Sequence, residues 1–209
     1  MGRRQQHNIT HREALGLIPL GPSLKQCWKA IAGDKYTPPS KWDLSSVKIF
    51  DPKIGIRTWM GKFDADGLVP VVNLFNHDVT PQNEGYDVRT TQVRDFRGGR
   101  ATYNSHIGTD FAVPIGTKVL APAAGVVRIV ANLMNRGGLK VVIDHGDGLI
   151  SMPGHLSRAL VAEGDTVKRG DLIGLSGYSG VDGIIAFPWM TPHVHYTVCL
   201  LYTSPSPRD

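Results

Sequence analysis

From about Asp95 onward, the chain consists of short apolar runs separated by glycine-containing turns. The runs are aliphatic or β-branched: KVLAP, GVVRIVA, LKVVIDH, GLISM, DTVKRGD and LIGLSG. Between them lie PIGT, NRGG, HGDG and EGD, which hold the residues that tight turns need. No run has the length and period of a helix. The pattern predicts an antiparallel all-β domain, either a sandwich or a partly open barrel, because many short strands must bury one face.

Residues 1–94 lack this pattern and are predicted to form an irregular N-terminal extension with one short helix. Four apolar residues of SLKQCWKAIAGD recur at helical spacing: Leu24, Cys27, Trp28 and Ile31. Ser23 is a possible N-cap, and Gly33 follows the last turn. The segment VPVVNLFN, residues 69–76, is a strand candidate, and YDVRTTQVRDF follows it. The sequence does not decide whether this extension folds on its own, or whether it occludes a groove of the β domain, tethers that domain or simply pads it.

Charge and hydropathy narrow the class of protein. The net charge of +5 comes from scattered Lys and Arg residues, so no basic block indicates nucleic-acid binding. No apolar run reaches the length of a membrane span, and MGRRQQHNIT lacks the apolar segment of a signal peptide. Cys27 and Cys199 form neither a CxxC metal motif nor a disulfide framework.

The last eleven residues, CLLYTSPSPRD, change abruptly from a strand-like sequence to a Ser/Pro-rich end. They resemble the translation, in one frame, of a transposase adapter used to prepare sequencing libraries. We therefore expect the native sequence to stop at Val198, so that the domain is truncated and residues 199–209 are a non-native tail.

Two short motifs carry candidate metal ligands. In PHVHYTV, His193 and His195 point to the same face of a strand, while Val194 points to the opposite face, into a core. HIGTD adds His106 and Asp110, with a glycine between them that relaxes the backbone. If these two residues and one of the paired histidines converge, they provide three N/O ligands, the number typical of a catalytic zinc with a fourth position for water.

Histidines that are not ligands have a use in such a site. Zinc lowers the pKa of its bound water from ~15.7 towards ~7, and a neighbouring histidine can take the proton or bind the developing oxyanion. His155 in PGHLS is a further candidate for this work. For His145, in the HGDG turn, we favour a structural role because Gly146 and Gly148 already explain the stretch as a hairpin.

Five motifs occur in the order seen in lysostaphin-type (LytM-like) zinc metallopeptidases, which residues 95–198 resemble: HIGTDFAVPIGTKVLAPAAGVV, VVIDHGDG, GHLS, EGDTVKRGDLIGLSGYSG and PHVHYTV. The resemblance implies an antiparallel β-sheet with an active-site groove and one zinc ion. It also implies hydrolysis of peptide bonds in the cross-links or stems of bacterial peptidoglycan, and a periplasmic or extracellular location.

The resemblance also assigns roles residue by residue. His106 and Asp110 match the HxxxD ligands of the family, and His195, the second histidine of its HxH motif, is the third ligand. His193 matches the first histidine of that motif, which assists catalysis without binding the metal. His155 matches the histidine of the HL segment and is a second catalytic group. Which of His155 and His193 is the general base stays open.

The sequence departs from the family pattern in two places inside the domain. Pro153 precedes GHLS, and because proline cannot donate to a strand ladder, His155 is expected at a strand edge or kink. VDGIIAFPWM, residues 181–190, lengthens the link before PHVH and is expected to form a loop beside the groove. Phe187 and Trp189 either pack on the domain or contact substrate, and we favour packing.

Two other hypotheses compete with the assignment as a peptidase. The first is an inactive family member that binds the cell wall or activates another hydrolase, but all three ligands and both auxiliary histidines are present. The second is a biotinyl- or lipoyl-like carrier, whose modified lysine lies at a hairpin tip. Lys140 is expected inside a strand instead. Metal-dependent hydrolysis is therefore the favoured function.

Overall fold

The computed structural model describes residues 8–33, 50–63, 68–75, 106–132, 137–185 and 189–200. Within these ranges the helices are α1 (His11–Ala14), α2 (Leu20–Ala32), α3 (Pro52–Trp59) and α4 (Val181–Ile185). The strands there are β1 (Val71–Asn73), β2 (Thr109–Ala112), β3 (Lys118–Leu120), β4 (Gly125–Asn132), β5 (Leu139–Asp144), β6 (Leu149–Gly154), β7 (Leu156–Ala159), β8 (Thr166–Val167), β9 (Leu172–Ser176) and β10 (His193–Leu200).

All these strands belong to one antiparallel sheet with the order β1-β2-β10-β6-β5-β7-β9-β3, and β4 pairs with β5 and β8 beside this path. The β5 strand has three partners because it changes neighbours along its length. Its first residue, Leu139, pairs with Leu156 of β7, whereas Ile143 pairs with Ser151 of β6. The sheet therefore curls. The all-β prediction is confirmed, and the form adopted is the partly open barrel.

The main core lies on one side of this sheet. Its buried members are small and β-branched or aliphatic: Val113, Val119, Ala121, Val127, Val141, Ile143, Leu156, Val167, Ile173 and Val194. Each fully buried Val, Leu or Ile contributes roughly 1.5–3 kcal/mol to the free energy of folding. Val194 lies in this core, as its alternation with the flanking histidines predicts, so the histidine face of β10 points away from it.

The predicted short helix is present as α2, but it begins earlier than expected. Pro19 is its N-cap, and Ser23 lies buried inside the helix with its amide donating to the Pro19 carbonyl. The prediction of Ser23 as N-cap is therefore wrong. Pro22 is tolerated in the first turn because an amide there has no intrahelical partner. Gly33 ends the helix with φ 76°, as predicted.

The apolar face of α2 is narrower than the spacing predicted. Cys27 is buried and packs with Val181, whereas Leu24 and Trp28 are 49% and 70% exposed. Only part of the predicted apolar face therefore packs against the rest of the protein.

Several described parts of the N-terminal extension contact the β domain. The Ala14 carbonyl accepts a hydrogen bond from the Tyr178 amide, and Glu13 pairs with Arg158. Strand β1 lies within the predicted segment 69–76 and pairs with β2. The candidate YDVRTTQVRDF lies outside the described residues. Within the described ranges, no helix has the length and apolarity to cross a bilayer.

The link before β10 is more regular than predicted. Residues 181–185 form α4, and the Tyr178 hydroxyl donates to the Met190 carbonyl beyond it. Trp189 is 57% exposed and makes a T-shaped contact with the Phe50 ring, so its packing is limited. Phe187 lies outside the described residues.

Strand β10 continues beyond Val198, the expected end of the native sequence. Cys199 and Leu200 pair with Ile150 and Leu149 of β6. Residues 201–209 lie outside the described part of the chain.

Candidate metal centre and active site

Pairing of β2 with β10 brings the predicted ligands together. His195 lies directly opposite Asp110, and residues opposite each other in an antiparallel pair project from the same face. His106 lies four residues before Asp110, just ahead of β2. His106 and Asp110 are almost fully buried, at 2% and 0% exposure. Asp110 and His195 are 85 residues apart in the sequence, and the pairing of β2 with β10 brings them into contact.

One nitrogen or oxygen from each of these residues forms a triangle. Asp110 Oδ1 is 3.1 Å from His106 Nε2 and 2.8 Å from His195 Nδ1, and the two nitrogens are 3.1 Å apart. Every edge is shorter than two zinc–nitrogen bonds of about 2.0–2.1 Å, so one ion can contact all three atoms. Among the described residues, this is the group of three metal-binding side chains that lie within reach of one another.

The hydrogen bonding of His106 makes this triangle suited to a cation. His106 Nδ1 is 2.7 Å from the Leu74 carbonyl, which can only accept, so Nδ1 carries the hydrogen. In the neutral ring, Nε2 then presents a lone pair towards Asp110 and His195. In the metal-free protein a proton must lie between these acceptors. A metal ion that replaces such protons suits the donor set.

The pKa values of two residues in the cluster also favour metal binding. Burial alone would raise the pKa of Asp110, yet this pKa lies well below its usual value because charge on His106 and His193, with hydrogen bonds from His106 and His195, favours the carboxylate. Burial lowers the pKa of His195, against the opposing effect of Asp110. Both shifts favour the deprotonated forms that bind a metal.

The two remaining predicted site histidines lie beside this triangle. The ring centroids of His155 and His193 are 4.6 Å apart, and that of His155 is 6.1 Å from that of His195. His193 Nε2 lies 3.5 Å from Asp110 Oδ2. Both histidines are buried. The structure therefore brings all five predicted site residues into one cluster.

Main-chain carbonyls orient both of these rings. His155 Nδ1 donates to the Ser179 carbonyl at 2.6 Å, and His193 Nδ1 donates to the Thr191 carbonyl at 2.7 Å. Each contact fixes one tautomer of the neutral ring and leaves Nε2 as the reactive nitrogen. These partners cannot be predicted from the sequence. They are main-chain carbonyls, which every residue has, so the residue type does not show which carbonyl accepts the hydrogen bond.

His155 has a backbone conformation that is uncommon for a residue with a side chain. Its φ is 56°, in the left-handed region. It lies between β6 and β7, just after Pro153, at the kink that the proline predicts. Pairing of β6 with β5 ends at Ser151, so the missing amide of Pro153 removes no bond from that ladder. The kink aims the imidazole at the cluster.

Gly108 is required for space and not for the backbone freedom that the sequence predicts. Its φ lies outside the left-handed region. A β-carbon at this position would lie 2.7 Å from His195 Nε2 and 2.7 Å from the Tyr196 carbonyl oxygen. Glycine therefore lets β10 approach the segment between His106 and Asp110.

Two side chains that sequence reasoning missed contact the ligands. Asn73 Nδ2 donates to Asp110 Oδ2 at 2.6 Å, and Thr197 Oγ1 lies 3.1 Å from His195 Nε2. Extending the alternation of His193 and His195 by one step predicts Thr197 on the same face. The sequence offers no comparable signal for Asn73.

His145 lies in a different environment. Its Nδ1 donates to the Ala124 carbonyl and its Nε2 lies 2.8 Å from Ser151 Oγ, and both contacts tie the β5–β6 turn to its surroundings. Asp147 and the two flanking glycines of that turn have positive φ, as a tight hairpin requires. These contacts agree with the structural role favoured for this histidine.

Comparison with known proteins identifies the same region. Residues 104–205 match the family model described as peptidase family M23. The chain is 46% identical over 92 residues to the peptidoglycan DD-endopeptidase ShyA of Vibrio cholerae, covering 44% of this chain and 19% of that protein. It is 42% identical over 91 residues to an uncharacterized metalloprotease of Haemophilus influenzae, covering 44% and 18%. The matched stretch thus spans about a fifth of these relatives.

Solved structures with a similar segment include a zinc-containing peptidase from Vibrio cholerae, with 34% identity, a TM-score of 0.41 and coverage of 51% of this chain and 30% of that one. The catalytic domain of lysostaphin from Staphylococcus simulans has 32% identity and a TM-score of 0.40, covering 47% of this chain and 70% of that one.

Proposed function

We propose that this chain, which belongs to peptidase family M23 through residues 104–205, is a zinc-dependent endopeptidase that hydrolyses peptide bonds of bacterial peptidoglycan. One observation carries the proposal: a triangle of ligand atoms from His106, Asp110 and His195 lies beside two histidines outside it. Three protein ligands leave a coordination position for water or substrate, as in catalytic zinc sites. A purely structural site would fill all four positions with protein atoms.

The three ligands would be His106 Nε2, Asp110 Oδ1 and His195 Nδ1. A zinc ion bound to them would lower the pKa of a bound water molecule and polarise the scissile carbonyl. Hydrogen bonds from outside the triangle orient the two histidine ligands. The Leu74 carbonyl orients His106, and Thr197 Oγ1 accepts from Nε2 of His195 when Nδ1 binds the metal.

The paired histidines would move the protons of the reaction. His193 gives its Nδ1 to the Thr191 carbonyl and directs Nε2 at the ligand triangle, 3.5 Å from Asp110 Oδ2. We therefore assign His193 as the general base. His155, whose ring centroid lies 4.6 Å from that of His193, is then assigned to the developing oxyanion.

The names of the relatives narrow the substrate. A relative that is 46% identical is named as a peptidoglycan DD-endopeptidase, and two further Vibrio cholerae relatives carry the same description. We therefore favour the D-amino-acid cross-link over a glycyl bridge as the bond that is cleaved. Such a substrate places the enzyme outside the cytoplasm.

Digestion of purified peptidoglycan tests this function. The full chain, supplied with zinc, is incubated with intact sacculi, and the released fragments are identified by mass spectrometry. We expect cross-linked dimers to become monomers with no change in the glycan strands. His106→Ala should abolish cleavage and zinc binding together, whereas His145→Ala, a histidine outside the cluster, should keep both. Undiminished cleavage by His106→Ala would contradict the proposal.

A further inference from the structure

Strand β1 and the residue after it, Leu74, lie ahead of the family match, which begins at residue 104, yet they contact two of the three proposed ligands. Asn73 donates its side-chain amide to Asp110, and the Leu74 carbonyl accepts from His106. The matched segment therefore does not contain every group that arranges its metal-binding side chains.

The contact from Asn73 distinguishes the two oxygens of Asp110. Asn73 Nδ2 is 2.6 Å from Oδ2, while Oδ1 faces His106 Nε2 and His195 Nδ1. A carboxylate has a broad preference about its last torsion, so an isolated Asp110 side chain could turn either oxygen to the metal. A donor fixed on one oxygen removes that freedom and directs the other oxygen to the ligand position.

A β-bulge puts Asn73 where it can make this contact. Between the paired positions, β1 advances by two residues, from Val71 to Asn73, whereas β2 advances by one, from Phe111 to Asp110. In a regular ladder Val72 would lie opposite Asp110, and the amide of Asn73 would point to the other face of the sheet. The extra residue turns the Asn73 side chain to the same face as Asp110. Bulges beside active sites commonly redirect a side chain in this way.

We propose that Asn73 is a positioning residue of the metal centre, whose amide holds Oδ2 of Asp110 so that Oδ1 completes the ligand triangle with His106 and His195. This inference rests on the proposed function, because it assigns the triangle to a metal. It adds a residue outside the family match, on a strand that the bulge adapts to this purpose. Asn73 acts through Asp110 and does not itself contact the metal or the substrate.

A purely structural role for Asn73 predicts a different pattern of effects. In that case its loss would lower the free energy of unfolding and leave metal affinity unchanged in the folded protein. Asn132 offers a matched comparison. Its Nδ2 also donates to protein oxygens, the carbonyls of Gly16 and Ile18, and Oδ1 of both asparagines is buried with no partner among the described residues.

The experiment measures zinc affinity by competition with a chelating dye, using the full chain with Asn73→Leu, Asn73→Ser or Asn132→Leu. Leucine has nearly the shape of asparagine but no donor, and the serine hydroxyl is too short to reach Oδ2. Circular dichroism selects the variants that fold. Cobalt(II) in place of zinc gives an absorption spectrum that reports the ligand geometry directly.

We expect each folded Asn73 variant to bind zinc roughly 10- to 100-fold more weakly, with an altered cobalt spectrum, while Asn132→Leu matches the wild type. Wild-type affinity and an unchanged spectrum in either Asn73 variant would overturn the inference, as would an equal loss in Asn132→Leu. If the wild-type chain itself bound no zinc, the proposed function would fail and this inference with it.

Discussion

His193 and His195 lie on the same face of β10, two residues apart, but they turn opposite nitrogens towards Asp110. His195 directs Nδ1 at Oδ1, at 2.8 Å, whereas His193 gives its Nδ1 to the Thr191 carbonyl and directs Nε2 at Oδ2, at 3.5 Å. Neighbouring histidines in one motif thus have different chemical environments. This difference underlies the proposal that only His195 is a ligand.

The first prediction separates these two histidines by their effect on the metal. His195→Ala removes one corner of the ligand triangle, so the purified variant should hold far less than one zinc per chain after dialysis. His193→Ala leaves the triangle intact and should retain its zinc while losing turnover. Elemental analysis measures the metal, and peptidoglycan digestion measures turnover. Equal zinc loss in both variants would show that His193 is a ligand too.

The histidine pair was readable from the sequence because strand geometry is simple. Alternation with a period of two places His193 and His195 on one face and Val194 in the core, and the structure has this arrangement. Glycine-rich turns between aliphatic runs likewise predicted an antiparallel sheet. In both cases the information is local, within a few residues of the feature that it predicts.

The groups that support the histidines were not readable in the same way. Ser179 and Thr191 act through their carbonyls, which every residue possesses, so their side chains give no signal. Asn73 reaches Asp110 only because a bulge shifts the register of β1, and a bulge depends on the pairing of two distant strands. The early start of α2 at Leu20 was missed because proline as an N-cap carries no side-chain acceptor.

The second prediction concerns Gly108. In Gly108→Ala the added methyl group would press on the His195 ring and on the Tyr196 carbonyl, and neither is the end of a flexible chain. We expect a loss of about 1–3 kcal/mol in the free energy of unfolding, together with weaker zinc binding. The control is Gly21→Ala in helix α2, where a β-carbon meets no atom within 4 Å apart from its chain neighbours, so zinc affinity should stay unchanged. Thermal melts and zinc titrations of both variants decide, and unaltered zinc affinity in Gly108→Ala would count against the assigned position of His195.

The third prediction uses two glycines with positive φ to test the support of His155. A β-carbon on Gly138 would overlap the main chain of Ser179, whose carbonyl holds the His155 ring. Gly138→Ala should lower kcat by on the order of 10- to 100-fold, with zinc content unchanged, since His155 is not a ligand.

Gly170→Ala is the control for that substitution. Both glycines have positive φ, but Gly170 lies in another turn, and a β-carbon on it meets no atom within 4 Å. It should therefore cost only backbone strain of about 1–2 kcal/mol and retain turnover. If the two variants lost turnover equally, backbone strain, and not displacement of Ser179, would be responsible.

The fourth prediction is a loss of stability of the metal-free protein in acid. The pKa of His195 is lowered from its usual 6.5 in the folded state, so below about pH 6.5 the unfolded chain takes up a proton that the folded protein resists. The lowered pKa of Asp110 adds a second loss that begins below its usual 3.8 and continues as the pH falls through the folded value.

Urea denaturation of the chelator-treated protein between about pH 7 and pH 5 measures the first of these losses. The free energy of unfolding should fall with pH in the wild type, and less steeply in His195→Ala. A wild-type stability that rose towards pH 5 would contradict the direction of the His195 shift.

Zinc titration of the metal-free enzyme tests the central claim most directly. The full chain is stripped with a chelator, zinc is added back in steps, and the rate of cross-link cleavage in purified peptidoglycan is followed at each step. We expect no cleavage without metal and a linear rise that saturates at one zinc per chain, because the described residues hold one such triangle, formed by His106, Asp110 and His195. Cleavage at the full rate by the stripped protein, or stoichiometric zinc binding without any cleavage, would contradict the account.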